Sequence, residues 1–271
     1  MNISTKDHVL ALLMRAGGNF ISGEEAGKSM NLSRAAVSTA IRGLRDEGYA
    51  IESVTNRGYR LSTIPDALCT GTLLSCLTPK RMETVICLPA TSSTNSYLME
   101  MAQKNAPDGQ TVLAEMQTEG RGRKGGHFDS PKAQGIYLSY LIKPDTSRGE
   151  SALVSDWQSI TKRVGTAVYS VIKDLTGIAP AFRGNELFIN DRKFCGILTQ
   201  TDMEVESGMI RTLVVGIGIH VHQTRYDFGA DSALTSLDIE TGRHNSRPVL
   251  ASKLILSLDE LRSSFGTQCP I

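Results

Sequence analysis

The densest chemistry in the chain lies at Gly120–Pro131, GRGRKGGHFDSP, where Arg121, Arg123 and Lys124 are interleaved with glycines. Cationic side chains on a pliable backbone suit closure over an anionic group by charge-assisted hydrogen bonds. Read literally, Gly120, Gly122 and Gly125 also spell GxGxxG, the dinucleotide fingerprint. That fingerprint needs a strand before it, a helix opening at its third glycine and an acidic residue ending the next strand. HFDSPKAQG follows instead and is no helix, so the match is accidental, and no GxxxxGKS or GxxxxGKT phosphate loop occurs in the sequence. A solvated basic loop is the plainer alternative.

Other groups with chemical potential are sparse. His220 and His222 stand two apart in GIHVH, on one face of a strand, and two imidazoles can ligate a metal. With no third ligand in view they are read as ordinary strand histidines, and no metal is assigned. The cysteines Cys69, Cys76, Cys87, Cys195 and Cys269 are odd in number and lack CxxC spacing, which argues for reduced cytosolic thiols rather than disulfides or zinc. A chain of 271 residues with 40% hydrophobic residues, 21% charged residues and a formal net charge of +1 reads as a soluble protein of more than one domain. Any nucleic-acid affinity must then come from a local patch. The N-terminal apolar run is short and broken by Arg15, so neither a signal peptide nor a membrane span is expected, and the expected location is cytoplasmic.

The elements that position these groups fall into two domains. Residues 6–15 place Val9, Leu10, Leu12, Leu13 and Met14 on one helical stripe, stopped by AGGN. Ser22 can cap the amide of Glu25 in a capping box that opens a second helix, and Ser33 caps a third with Ala36, Val37, Ile41 and Leu44 inward. AIESV, TNRG and YRLS then alternate around a glycine turn as a hairpin. The order predicts a winged helix-turn-helix over residues 1–63. Its DNA-facing candidates are Ser33, Arg34, Ala35, Ser38, Thr39 and Arg42 on the third helix, with Arg57 and Arg60 on the wing. A helical packing module with a solvated polar face is the alternative. Residues 1–62 carry eight basic and six acidic side chains, a net of +2, so a single copy should bind DNA weakly and a dimer on two half-sites is expected. Residues 64–82 carry Pro65 and Pro79 around a short apolar helical pattern and read as a connecting helix. Residues 83–271 alternate strand and amphipathic-helix patterns, ending in the helix RPVLASKLILSLDELRSSF, and read as a mixed α+β domain.

Several motifs in order resemble the biotin protein ligases, in particular the bifunctional ligase/biotin repressors with an N-terminal winged helix. They are FISGEEAGKSMNLSRAAVSTAIRGLRDEGY, SSTN, EMQTEGRGRKG, SPKAQGIYLS, NELFINDRKFCGIL and GIGIHVH. The resemblance implies a mixed-sheet biotin/lipoate-ligase-like fold after the winged helix. It implies a two-step reaction in which biotin and ATP, with Mg2+, give biotinyl-adenylate, and a lysine of biotin carboxyl carrier protein then takes the biotinyl group. In the repressors, ligand binding also promotes homodimerisation on operator DNA. By position, Ser93, Thr94 and Asn95 match residues near the biotin ring and Gln117 a biotin-contacting glutamine. Gly120, Arg121, Gly122 and Arg123 match the loop that closes over the adenylate. Asn185, Gly196 and Lys193 fall in the next matching motif, Lys193 on a family lysine. Arg121, Arg123 and Lys193 are the catalytic candidates.

The sequence departs from the family in specific places. Where the family has Lys-Trp-Pro-Asn-Asp, this chain has Phe182, Arg183, Gly184, Asn185 and Glu186, so Phe182 replaces the lysine that steadies the carboxylate and α-phosphate. Arg183 or Lys193 are the cations available to compensate. His220 replaces an asparagine near the nucleotide, Phe128 a tryptophan, and Ala133 the glycine of SPxG. A counterpart of the family's small C-terminal β-barrel is not expected. The spacing of NELFINDRKF is also similar to that of lipoate ligases. Two functions follow: a DNA-binding regulator that senses biotin or a related acyl acid or acyl-adenylate with ligase turnover weakened or lost, or an active bifunctional ligase and repressor.

Overall fold

The computed structural model describes residues 3–143, 157–203 and 210–264, and Phe265 and Cys269 lie outside them. The chain divides into two compact units, Met1–Glu83 and Thr84–Ile271.

In the first unit, α1 (Thr5–Arg15) opens on a capping box in which Ser4 accepts from the Asp7 amide and Asp7 accepts from the Ser4 amide. α2 (Gly23–Met30) opens with Ser22 accepting from the Glu25 amide and closes at Asn31 in the left-handed region, φ 53°. The reciprocal half of the box expected at α2 is thus found at α1. α3 (Arg34–Asp46) opens at Ser33, whose hydroxyl accepts from the Ala36 amide. Val9, Leu10 and Leu13 of α1 meet Ala26 of α2 and Val37, Ala40, Ile41 and Leu44 of α3 in one apolar core.

The wing is β1 (Ile51–Val54) paired antiparallel with β2 (Gly58–Leu61), and Ile21 adds a bridge to Tyr59. Gly58 is required there: its φ is 101°, and a Cβ would lie 2.0 Å from the Ile21 carbonyl oxygen. Residues 64–82, read from sequence as a connecting helix, hold two short helices, α4 (Thr70–Leu74) and α5 (Pro79–Met82). Gly71 of α4 packs on the Leu10 side chain, and Arg15 donates to the carbonyls of Leu74 and Ser75, which places the segment within the first unit.

The second unit is a seven-stranded mixed sheet. After β3 (Val85–Leu88) come α6 (Thr94–Gln103), β4 (Thr111–Ala114), β5 (Gly135–Ile142), α7 (Trp157–Thr176), β6 (Ala181–Arg183), β7 (Glu186–Ile189), β8 (Arg192–Met203), β9 (Ile210–His220), α8 (Leu237–Thr241) and α9 (Arg247–Ser264). The strand order is β3-β4-β5-β9-β8-β7-β6; β3 and β4 are parallel and every other neighbouring pair is antiparallel. Pleating sends successive side chains to opposite faces. Ser139 of β5 therefore turns to α6, whereas the Tyr140 hydroxyl donates to Asp259 of α9 on the other face. β5 is buried along its whole length, as expected for a strand covered on both sides. Sequence patterning located the long strands and helices but not β6 or α8, which are three and five residues long. Among the described residues no helix is long and apolar enough to cross a membrane.

Candidate functional site

On the first unit, Ser33, Arg34, Ala35, Thr39 and Arg42 are exposed and Ser38 is half-buried, so one face of α3 presents hydroxyls and guanidiniums to solvent. Arg57, exposed on the wing turn, lies 4.3 Å from the Phe20 ring centroid, with Arg60 at 4.7 Å. The aromatic ring holds both cations beside the hairpin. These are donors suited to phosphate and base-edge contacts.

A cavity of the second unit lies on the α6 face of the sheet, lined by Ser93, Thr94, Asn95, Gln117, Arg121 and Lys193 among others. Its floor consists of two cross-strand rows set by register. In one, Ser139 of β5, Gly216 of β9 and Leu198 of β8 stand side by side; in the next, Tyr137, Gly218 and Gly196 do. Each β9 glycine receives a side chain where its own Cβ would be. Asn95 lies 2.3 Å from the Cβ position of Gly216, and the Phe128 ring 2.6 Å from that of Gly218.

The first row supports a continuous polar network. The Gln117 carbonyl oxygen accepts from the Thr94 amide at 2.9 Å and lies 3.0 Å from the Thr94 hydroxyl, while its amide nitrogen donates to Ser130 at 2.9 Å. Ser130 in turn donates to the Phe128 carbonyl. The Ser139 hydroxyl is 2.8 Å from Thr94 Oγ1 and 2.5 Å from Asn95 Oδ1. Because Oδ1 can only accept, the single Ser139 proton belongs to Asn95. Asn95 Nδ2 donates to Gln200 and to the Leu198 carbonyl. Asn95 is thereby committed to strands β5 and β8, and Gln117 keeps one amide proton for the cavity. Main-chain bonds from Thr118 to Thr91 and from Glu119 to Ser92 hold the Gln117 segment against SSTN. Arg247, buried on α9, pairs with Glu115 at 2.7 Å and fixes the end of β4 from which Gln117 departs.

The second row carries the cationic end. The loop doubles back at a 3-10 turn, Arg123–Gly125, through bonds from Gly122 to Gly126 and from Phe128 to Gly120. Arg121, Gly122 and Arg123 line the cavity. Gly120 does not line it; a Cβ there would lie 2.2 Å from the Phe128 carbonyl oxygen, so this glycine serves loop closure. Lys193 reaches the cavity but is paired with Glu186 at 2.5 Å, and Asn185 donates to the Ile197 carbonyl.

Phe182 and His220 differ from their expected placement. Phe182 pairs with Leu187 and presses its ring on Gly165 of α7, on the sheet face opposite the cavity, because strand alternation assigns it there. Arg183 is on the cavity side but pairs with Asp191 at 2.5 Å and lies over Phe188. His220 does not line the cavity; it stacks on the Phe128 ring at 4.7 Å and accepts at Nδ1 from Gln223. Burial, assisted by the nearby Lys193 charge, lowers its pKa to about 4, so it is neutral at pH 7.

The structure thus gathers Ser93, Thr94, Asn95, Gln117, Arg121, Gly122, Arg123, Asn185, Lys193 and Gly196 around one cavity. Sequence reasoning missed Ser130, Ser139, Gln200 and Glu186. A serine inside the apolar run GIYLSYLI was the available signal, since a buried hydroxyl must find a partner.

The first unit is a helix-turn-helix with a two-stranded wing, and the second an α+β domain with a polar-lined cavity. The HTH domain family matches residues 5–60, and the Biotin/lipoate A/B protein ligase family matches residues 87–220. A bifunctional ligase/repressor of Bacillus subtilis is 31% identical over 271 residues, spanning 98% of this chain and 81% of that protein. Its counterpart in Escherichia coli is 30% identical over 251 residues, 92% of this chain and 74% of that one. The solved biotin protein ligase of Aquifex aeolicus, in complex with biotin and ATP, superposes with a TM-score of 0.55 at 26% identity, over 69% of this chain and 73% of that one. The chain belongs to the biotin protein ligase family, among the bifunctional ligase/repressors with an N-terminal helix-turn-helix domain.

Proposed function

We propose that this protein is a DNA-binding regulator that senses biotin or its adenylate in the second domain and whose ligase turnover is weakened. The observation that carries the reading is the contrast within one cavity. The Thr94–Gln117–Ser139–Asn95 network is complete, whereas at the cationic end Lys193 is neutralised by Glu186 and Arg183 by Asp191.

The polar end suits a ring that accepts and donates hydrogen bonds. The remaining Gln117 amide proton fits a ureido carbonyl, and the Leu198 side chain with the Phe128 ring offers an apolar surface that fits an aliphatic chain. A dithiolane ring offers nothing to this network, which favours biotin over lipoate. Arg121 and Arg123 fit an acyl-phosphate anion at the open end. When bound with Mg2+, ATP would supply the adenylyl group that the acid carboxylate takes up at the α-phosphorus, with pyrophosphate as the leaving group. The chain's own residues hold the acid, orient its carboxylate toward the loop and partly offset phosphate charge.

A bifunctional ligase that also labels biotin carboxyl carrier protein is the second reading, favoured by the presence of Lys193 and both loop arginines in the cavity. In either case ligand binding orders the arginine loop, and a ligand-promoted homodimer on operator DNA in the cytoplasm is the regulatory form. Calorimetry with biotin, lipoate and a non-hydrolysable biotinyl-adenylate analogue tests the reading. One biotin or analogue per chain is expected, with lipoate at least tenfold weaker; a chain that binds none of the three contradicts it.

A further inference from the structure

The polar end of the cavity has more oxygen–oxygen contacts than protons to fill them. Ser139 Oγ lies 2.5 Å from Asn95 Oδ1 and 2.8 Å from Thr94 Oγ1, and Thr94 Oγ1 lies 3.0 Å from Gln117 Oε1. Two hydroxyl protons serve these three contacts, because the amide oxygens of Asn95 and Gln117 only accept. Ser139, Thr94 and Asn95 are buried, so neighbouring dipoles rather than water decide where each proton points. The deciding group is the Asn95 amide. Its Nδ2 donates to Gln200 Oε1 at 2.8 Å and, at 3.3 Å, to the Leu198 carbonyl. Gln200 stands two residues beyond Leu198 on the same face of β8 and does not line the cavity. With Nδ2 committed to that side, Oδ1 faces Ser139 and takes its proton. The Thr94 oxygen then receives nothing from Ser139, and among the described residues no other donor reaches it.

We propose that Gln200 is a positioning residue for ligand specificity: it holds the Asn95 oxygen toward Ser139 and so keeps the Thr94 hydroxyl oxygen open as an acceptor for a ligand N–H. Reversing the Asn95 amide would aim Nδ2 at Ser139, send the Ser139 proton to Thr94 and fill that acceptor from within. It would also set Asn95 Oδ1 against the oxygen of Gln200, the shorter of the two contacts that oppose the reversal. Thr94 lines the cavity beside Gln117, whose amide nitrogen gives one proton to Ser130 and keeps the other. An acceptor beside a donor matches the edge of a cyclic urea or lactam, where N–H and C=O alternate, and disfavours a ring that only accepts. The inference rests on the reading that the ring of an acyl acid occupies this cavity, and it adds which ring edge is selected and which residue outside the cavity selects it.

Calorimetry on the full chain compares biotin with its cyclic-carbonate analogue, in which both ureido N–H groups are replaced by oxygen. The unaltered protein should prefer biotin by about tenfold or more, the usual penalty for leaving a buried acceptor unmatched. Gln200→Met, of similar length but without an acceptor, should lower that preference at least about threefold. Gln200→Glu, which accepts and does not donate when ionised, should keep it. Ser139→Ala cuts the relay, and in that background Gln200→Met should no longer change the ratio. Far-UV circular dichroism checks the fold, and Gln200→Leu makes the same test if the Met variant does not fold. A packing role for Gln200 would weaken both ligands together, so an unchanged ratio in Gln200→Met overturns the proposal, as does a change that persists without Ser139. Failure of the unaltered chain to bind biotin would instead contradict the ring-binding reading itself, and the proposal falls with it.

Discussion

Gly216 and Gly218 stand two residues apart on the same face of β9, and each admits a side chain into its missing Cβ space, yet the two positions serve different ends of the cavity. Over Gly216 sits Asn95, tied by hydrogen bonds to β5 and β8. Over Gly218 sits Phe128, held by stacking on His220 and carried by the arginine loop. The first end is specified by directional bonds that tolerate little change. The second is specified by shape and charge, through Phe128, His220 and the arginine loop. Recognition and reaction can therefore diverge within a few ångströms of each other.

Gly216→Ala breaks the comparison most strongly. The added methyl would fall on Asn95, whose displacement orphans buried polar groups, at a combined cost of about 4 kcal/mol in stability and a loss of biotin binding by more than about 100-fold. Urea unfolding and calorimetry check this. Gly218→Ala should instead move Phe128, weakening the adenylate analogue more than biotin; equal loss of both ligands would erase the distinction.

Acid should next expose the aromatic end. The His220 pKa is lowered to about 4 from its ordinary 6.5, so between these values the unfolded chain binds a proton that the folded chain does not. Its contribution is fully present above pH 6.5 and is lost as the pH falls toward 4, by up to about 3 kcal/mol. Urea denaturation from pH 7 to pH 4.5 should show this decline, and His220→Gln should remove that part of it. An unchanged pH profile in the variant would separate His220 from the acid sensitivity.

How much of this was legible in the sequence depends on what fixes each group. The Ser22 and Ser33 caps and the wing turn are local, and the sequence placed them because capping and turn chemistry act over three or four residues. Thr94, Gln117 and the arginine loop were reached through ordered motifs. Ser139, Gln200 and Glu186 were not, because their roles arise only when antiparallel register brings β5, β9 and β8 side by side. Phe182 was misplaced for a related reason: a motif register gives a position along the strand, but the pleat decides which face it serves. The linker reading of residues 64–82 took prolines as a boundary, whereas Gly71 on Leu10 and Arg15 on Leu74 join that segment to the first unit.

Arg34→Ala serves as a control outside both ends of the cavity. The slope of log affinity against log salt for a random-sequence duplex should become shallower by about 0.9 if Arg34 contacts one phosphate, with biotin affinity unchanged. Equal loss of both affinities would contradict the division between the domains.

The smallest effect is expected at Ala133, which takes a left-handed φ of 61°, a conformation that favours glycine. Ala133→Gly should relieve about 0.5–1 kcal/mol of strain, visible as a slightly higher urea midpoint with no change in ligand affinity. A lower midpoint would show that the loop's closure does not depend on this residue's strain.

The central claim is that the acid end is intact and the reaction end is impaired. Biotin-dependent pyrophosphate release, with transfer to a carrier-protein acceptor domain, measured on the same sample whose biotin affinity is known, tests it most directly. Saturable biotin binding is expected, with release and labelling slower by orders of magnitude than in an active ligase. Robust acceptor labelling by the unaltered protein would contradict it and establish the bifunctional ligase instead.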